Sequence, residues 1–114
     1  MAIDLNYDSL SNGITLVNLT GTMDAPGAQA IDQGFNAISL SYDKIIVNFE
    51  KVDYLASMGI RTIIMGAKAV QRRNGKLVIL KASLDVVKVL SESGVDSLIP
   101  MFQDYETAVK MVLK

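Results

Sequence analysis

The sequence contains no cysteine and no histidine. The first absence removes disulfides, thiolate metal sites, Cys-ligated iron–sulfur clusters and cysteine nucleophiles. The second removes the commonest general base and metal ligand, and with it every Ser-His-Asp triad. Tryptophan is also missing, and four tyrosines and three phenylalanines are too few for a single-strand stacking platform. Neither sign of charge dominates: 11 Lys and Arg against 12 Asp and Glu leave a net charge of −1. A dedicated nucleic-acid binder needs a basic excess, so no direct nucleic-acid contact is expected. No apolar run approaches the ~20 residues of a membrane span. The start, Met1-Ala2-Ile3-Asp4, shows neither a basic n-region nor a long apolar h-region. A cytoplasmic chain without a signal peptide is therefore expected.

Half of the 114 residues are apolar and a fifth are charged, a globular mix with material for one core. A single domain over residues 1–114 is expected, burying roughly two-thirds of the unfolded chain's surface. Ile3, Leu5 and Tyr7 alternate with polar neighbours, as in a half-buried strand. Asn12-Gly13 then predicts a hairpin into a second strand over Ile14 to Leu19. Thr20 to Asp24 reads as a loop, and Asp24 as the N-cap of a helix with Pro26 in its first turn and Ile31, Phe35 and Ile38 inward.

The run Lys44 to Phe49 is fit for a central strand, with Glu50 to Ala56 as the loop after it. Ile60, Ile63, Ile64, Ala67 and Val70 make the cleanest helical stripe, with Arg61, Lys68 and Arg72 on another face and Asn74-Gly75 as its stop. The basic cluster Lys68, Arg72, Arg73 and Lys76 reads as a solvated face near a helix C-terminus. Leu77 to Leu80 is a strand, Ser83 caps a third helix ending at Gly94, and Leu98 to Met101 is a short last strand held to an edge by Pro100. Asp104 caps a final helix with Tyr105, Ala108, Val109 and Val112 on one face. The order β-β-α-β-α-β-α-β-α predicts an α/β fold: a mixed, mostly parallel sheet of four to five strands with helices packed on it.

Motifs for catalysis fail one by one. Leu55-Ala56-Ser57-Met58-Gly59 lacks the first glycine of a GxSxG elbow, and no histidine exists to activate Ser57. Gly75-Lys76 is followed by Leu77, and Val70 stands where a phosphate loop needs its first glycine. No dinucleotide fingerprint is present. Asp24, Glu50 and Asp53 read as solvated or capping carboxylates. No enzyme, cofactor or metal site is expected.

What remains is Ser57, at the start of the cleanest helix. At the least it is an N-cap worth about 1 kcal/mol. Met58 and Gly59 are expected to set an exposed apolar side chain and open backbone beside it. A phosphate on Ser57 would add about −1.5 to −2 charges to a chain now at −1. The unpaired N–H groups of a helix start tolerate that charge, whereas a partner's apolar or acidic surface does not.

The stretch Val47-Asn48-Phe49-Glu50, a short loop and Ala56-Ser57-Met58-Gly59-Ile60 resembles the signature of the STAS domain family of sulphate transporter domains and anti-sigma factor antagonists. The likeness extends over the hairpin, Gly21-Thr22-Met23-Asp24, Asn74-Gly75-Lys76-Leu77, Gly94 to Phe102 and the closing helix. For the bacterial antagonist group it implies a partner switch. The unphosphorylated protein binds an anti-sigma factor with a GHKL-type kinase fold. Phosphorylation releases that partner, and a PP2C-type phosphatase reverses it. By this resemblance Ser57 is the phosphoacceptor, and Asp24, Met58 and Gly59 are partner-binding positions. Many antagonists carry aspartate just before the acceptor, where this chain has Ala56, so less negative charge surrounds Ser57.

Two other readings stand beside the switch. One is a non-switching scaffold or interaction module in a larger regulatory assembly or lipid-transport complex, indifferent to Ser57. The other is a small-ligand or nucleotide-binding domain, which the missing phosphate loop disfavours. The residues do not decide between monomer and dimer.

Overall fold

The computed structural model describes residues 3–114. The elements follow the expected order: β1 (Ile3–Ser9), β2 (Thr15–Met23), α1 (Ala25–Ser41), β3 (Lys44–Leu55), α2 (Ser57–Gln71), β4 (Lys76–Leu80), α3 (Leu84–Glu92), β5 (Met101–Phe102) and α4 (Tyr105–Leu113). The sheet order is β1-β2-β3-β4-β5, with β1 antiparallel to β2 and every later pairing parallel. This is the mixed, mostly parallel α/β sheet that the sequence pattern predicts. Gly13 takes a φ of 86°, which a hairpin turn demands and glycine meets without strain.

Helices α1, α2 and α3 cover one face. Val17 and Leu19 of β2, Ile45, Val47 and Phe49 of β3, and Leu77 and Ile79 of β4 meet Ile31, Phe35, Ile60, Ile63, Val86 and Leu90 there. On the other face α4 packs Ala108 and Val112 on Ile46, Val78 and Leu80. Tyr105, expected on that apolar face, is instead exposed. Further along the second face, polar amides of β1, β2 and β3 form a ladder. The Asn48 amide donates to Asn18 (3.1 Å), and the Asn18 amide donates to Asn6 (3.2 Å).

Two expected loops are strands. Residues 20–23 continue β2, and residues 50–55 continue β3, because the two tails pair with each other: Thr20 with Lys51, Gly21 with Val52, Thr22 with Tyr54 and Met23 with Leu55. Register shifts between Asn18 and Thr20 and between Gly21 and Thr22, with Gly21 at φ 122°, absorb the irregular spacing. The last strand is also displaced. A single 3-10 turn occupies Val95–Ser97, and pairing begins only at Met101, after Pro100. Proline cannot donate to a ladder, so Pro100 contributes only its carbonyl, to the Ile79 N–H at 2.9 Å.

The basic cluster is only partly a solvated face. Arg73 pairs with Asp43 (2.9 Å) and donates to the carbonyls of Ser39, Tyr42 and Ala69, tying the ends of α1 and α2 together. Lys76 Nζ donates to the carbonyls of Met111 and Lys114 at the end of α4, where a cation also complements the helix dipole.

Helices α1 and α2 pack closely at Gly66. A Cβ there would overlap the Phe35 ring and the buried Ser39 hydroxyl. Gly66→Ala should therefore cost about 1–3 kcal/mol despite alanine's better helix propensity. Urea unfolding of the two proteins checks this.

Candidate functional site: the paired helix starts at the sheet's C-terminal edge

Strands β2 and β3 are parallel neighbours, so they end at the same edge and each releases a helix there. Their final pair, Met23 and Leu55, is followed by Asp24 and Ala56. The Ala56 N–H donates to the Met23 carbonyl at 2.9 Å, closing the gap between the two strand ends. The Thr22 hydroxyl donates to Asp53 at 2.9 Å, so Asp53, read above as solvated or capping, joins the strand tails.

The two helix starts differ. Asp24 is the N-cap of α1, and its carboxylate accepts from the Gly27 N–H at 2.8 Å. Ala56 is the N-cap of α2, has no side chain able to cap, and leaves a first turn without an acidic residue. Ser57 is thus not the N-cap, as the helical pattern allowed, but the first helical residue. It is exposed, and among the described residues no hydrogen bond engages its side chain. The early amides of α2 consequently meet no side-chain acceptor.

Met58, beside the acceptor position, is 40% exposed. It lines a groove of about 310 Å³ between α1 and α2, together with Ala28, Gln29, Asp32, Arg61 and Met65. Gly59 departs from its expectation. It is buried, not open backbone, and a Cβ there would overlap Met23 and Leu55. Its smallness lets the first turn of α2 sit against the β2–β3 strand ends, which is a packing role. Thr62 supports the same turn, its hydroxyl lying within hydrogen-bond reach of the Met58 carbonyl (3.2 Å) and Asp32 (3.1 Å).

Exposed apolar groups at this edge escaped the sequence pattern. Tyr54, second to last in β3, is 54% exposed, and Leu84, which opens α3 after β4, is 89% exposed. Tyr54 was hidden by the reading of 50–56 as a loop. Leu84 directly follows the N-cap Ser83 and opens α3. Among the described residues no three carboxylates gather as a metal site, and no helix is long and apolar enough to cross a membrane.

The model of the STAS domain matches residues 9–108, and the chain belongs to that family. Similar proteins include BtrV of Bordetella bronchiseptica, named as an anti-sigma factor antagonist, 24% identical over 98 residues that span 85% of this chain and 84% of BtrV. An anti-sigma factor antagonist from Mycobacterium paratuberculosis shares the fold with a TM-score of 0.88 at 18% identity, covering 99% of this chain and 96% of its own. The antagonist SpoIIAA in its unphosphorylated form superposes with a TM-score of 0.79 at 21% identity, covering 96% of each chain. The Bacillus protein has also been solved phosphorylated, with a TM-score of 0.73 at 20% identity, covering 96% of this chain and 99% of its own.

The uncapped start of α2 gives a direct stability test. The extended backbone of Ala56 (φ −98°, ψ 173°) already suits a capping side chain. Ala56→Asp should stabilise the protein by about 1 kcal/mol, raising Tm by about 3–5 °C. Thermal unfolding followed by circular dichroism reads the shift.

Proposed function

We propose that this chain is an anti-sigma factor antagonist working as a partner switch in the cytoplasm. Unphosphorylated, it binds an anti-sigma factor with a GHKL-type kinase fold. Phosphorylated on Ser57, it releases that partner, and a PP2C-type phosphatase restores binding. The chain itself catalyses nothing.

The observation that carries this reading is the state of Ser57. Its side chain is exposed, free of hydrogen bonds among the described residues, and set at a helix start that lacks a side-chain cap. A hydroxyl consumed in capping would be poorly available to a kinase, and this one is not consumed. Uncapped amides and the helix dipole favour a phosphate at that point, so the modified chain stays folded. Met58, next to the acceptor in sequence, and Tyr54, three residues before it, are both exposed. A partner seated on them buries apolar surface around Ser57, and a dianion there meets desolvation and repulsion. Asp24 stands at the neighbouring helix start, where its charge is available at the rim of the same contact. Gly59 supports the surface from beneath. The named relatives, BtrV and SpoIIAA among them, agree with this reading, and SpoIIAA exists in both phosphorylation states.

A near-complete change of occupancy needs about 5 kcal/mol of differential affinity. Losses of several kcal/mol are usual when a buried interface charge is left unpaired. Pull-down from the native host with wild-type, Ser57→Ala and Ser57→Asp proteins, read by mass spectrometry, tests the switch. A GHKL-type kinase should come down with the first two and not with the third. Identical partners for all three would contradict the switch and point to a constitutive scaffold.

A further inference from the structure

Arg61 follows Ser57 by four positions on α2, and both residues are exposed. Residues four apart are neighbours on a helix surface, and helical side chains lean toward the N-terminus. Helix geometry therefore puts the acceptor within reach of the Arg61 side chain. It is also the sole cation lining the α1–α2 groove, beside Met58 and Met65. Among the described residues the guanidinium enters no ion pair; the pair found there is Arg73–Asp43. Asp32, the acid across the groove, lies 3.1 Å from the Thr62 hydroxyl instead. Asp24 precedes α1 and Asp53 lies near the end of β3, and both are of the wrong sign to hold a phosphate.

We propose that Arg61 is the built-in counter-charge for a phosphorylated Ser57, forming a guanidinium–phosphate pair across one turn of α2. The inference rests on the phosphoacceptor reading above and adds a residue to it. Guanidinium matches phosphate oxygens in a bidentate fork, which a point cation does less well. Pairing draws Arg61 out of the groove toward Ser57. Phosphorylation then changes two features of the surface at once: the acceptor gains a dianion, and the groove loses its cation while keeping Asp32.

The test uses the full chain with phosphoserine installed at position 57 during translation, so no kinase is required. The 31P resonance is followed against pH at low salt in the wild-type, Arg61→Gln and Arg61→Lys proteins. Asp24, Asp32 and Asp53 are common to all three. A neighbouring cation favours the dianion, so the second phosphate pKa should be lower by about 0.3 in the wild type than in the Arg61→Gln variant. Arg61→Lys should recover part of that difference, and added salt should shrink it. Unphosphorylated Arg61→Gln should keep the wild-type Tm, because the side chain is exposed and unpaired. Equal phosphate pKa values with and without the arginine would overturn the proposal. Failure of the switch itself shows elsewhere, in equal partner recovery by Ser57→Ala and Ser57→Asp.

Discussion

Parallel pairing of the tails of β2 and β3 is the constraint on which the candidate site depends. Without the pairs from Thr20–Lys51 to Met23–Leu55, the chain would leave the sheet several residues early, and the starts of α1 and α2 would not be held together. The pairing is locked at its end by the Ala56–Met23 backbone bond and at its side by the Thr22–Asp53 bond. Gly59 then lets α2 lie directly on Met23. The edge thus combines surface polar contacts with buried packing, since Met23, Val52 and Leu55 of the two tails are core side chains. The core does its part further down, through Phe35, Phe49 and Ile63, all shielded from solvent.

On the proposed reading this arrangement separates folding from signalling. Asp24 spends its carboxylate on α1, whereas Ala56 spends nothing on α2. A rigid sheet edge therefore presents one satisfied helix start and one open one. On the proposed reading, the open start is where a phosphate enters, and no rearrangement of the backbone is needed to accommodate it. On that reading the work of the switch lies in the partner's contact, where exposed apolar groups such as Met58 are desolvated beside Ser57.

The fold was largely legible because its strongest signals are local. The Asn12-Gly13 turn, the caps Asp24, Ser83 and Asp104, and the stripe from Ile60 to Val70 each need only neighbouring residues to act. The strand tails were not legible. Glu50, Lys51 and Asp53 break the apolar pattern of β3, and Thr20 to Thr22 look like a turn around glycine; only pairing between the two segments makes them strands. The same non-local origin hid Gly59, whose requirement comes from Met23 across the sheet edge, and Tyr54, whose exposure depends on β3 continuing. Arg73 and Lys76 were misread for a related reason: the carbonyls of Ser39 and Met111 that they satisfy lie 34 and 35 residues away in sequence. Ser57 was located within one residue, since the helix period fixes its start to about that precision.

The central claim is that one phosphate on Ser57 changes binding and leaves the fold intact. The most direct measurement is calorimetric titration of the purified kinase partner into the chain with and without phosphoserine at position 57, with amide spectra of both forms recorded alongside. The account predicts affinity weaker by about 10⁴-fold in the phosphorylated form, and spectral changes confined to the helix starts. Equal affinities, or a phosphorylated chain that loses its native spectrum, would contradict it.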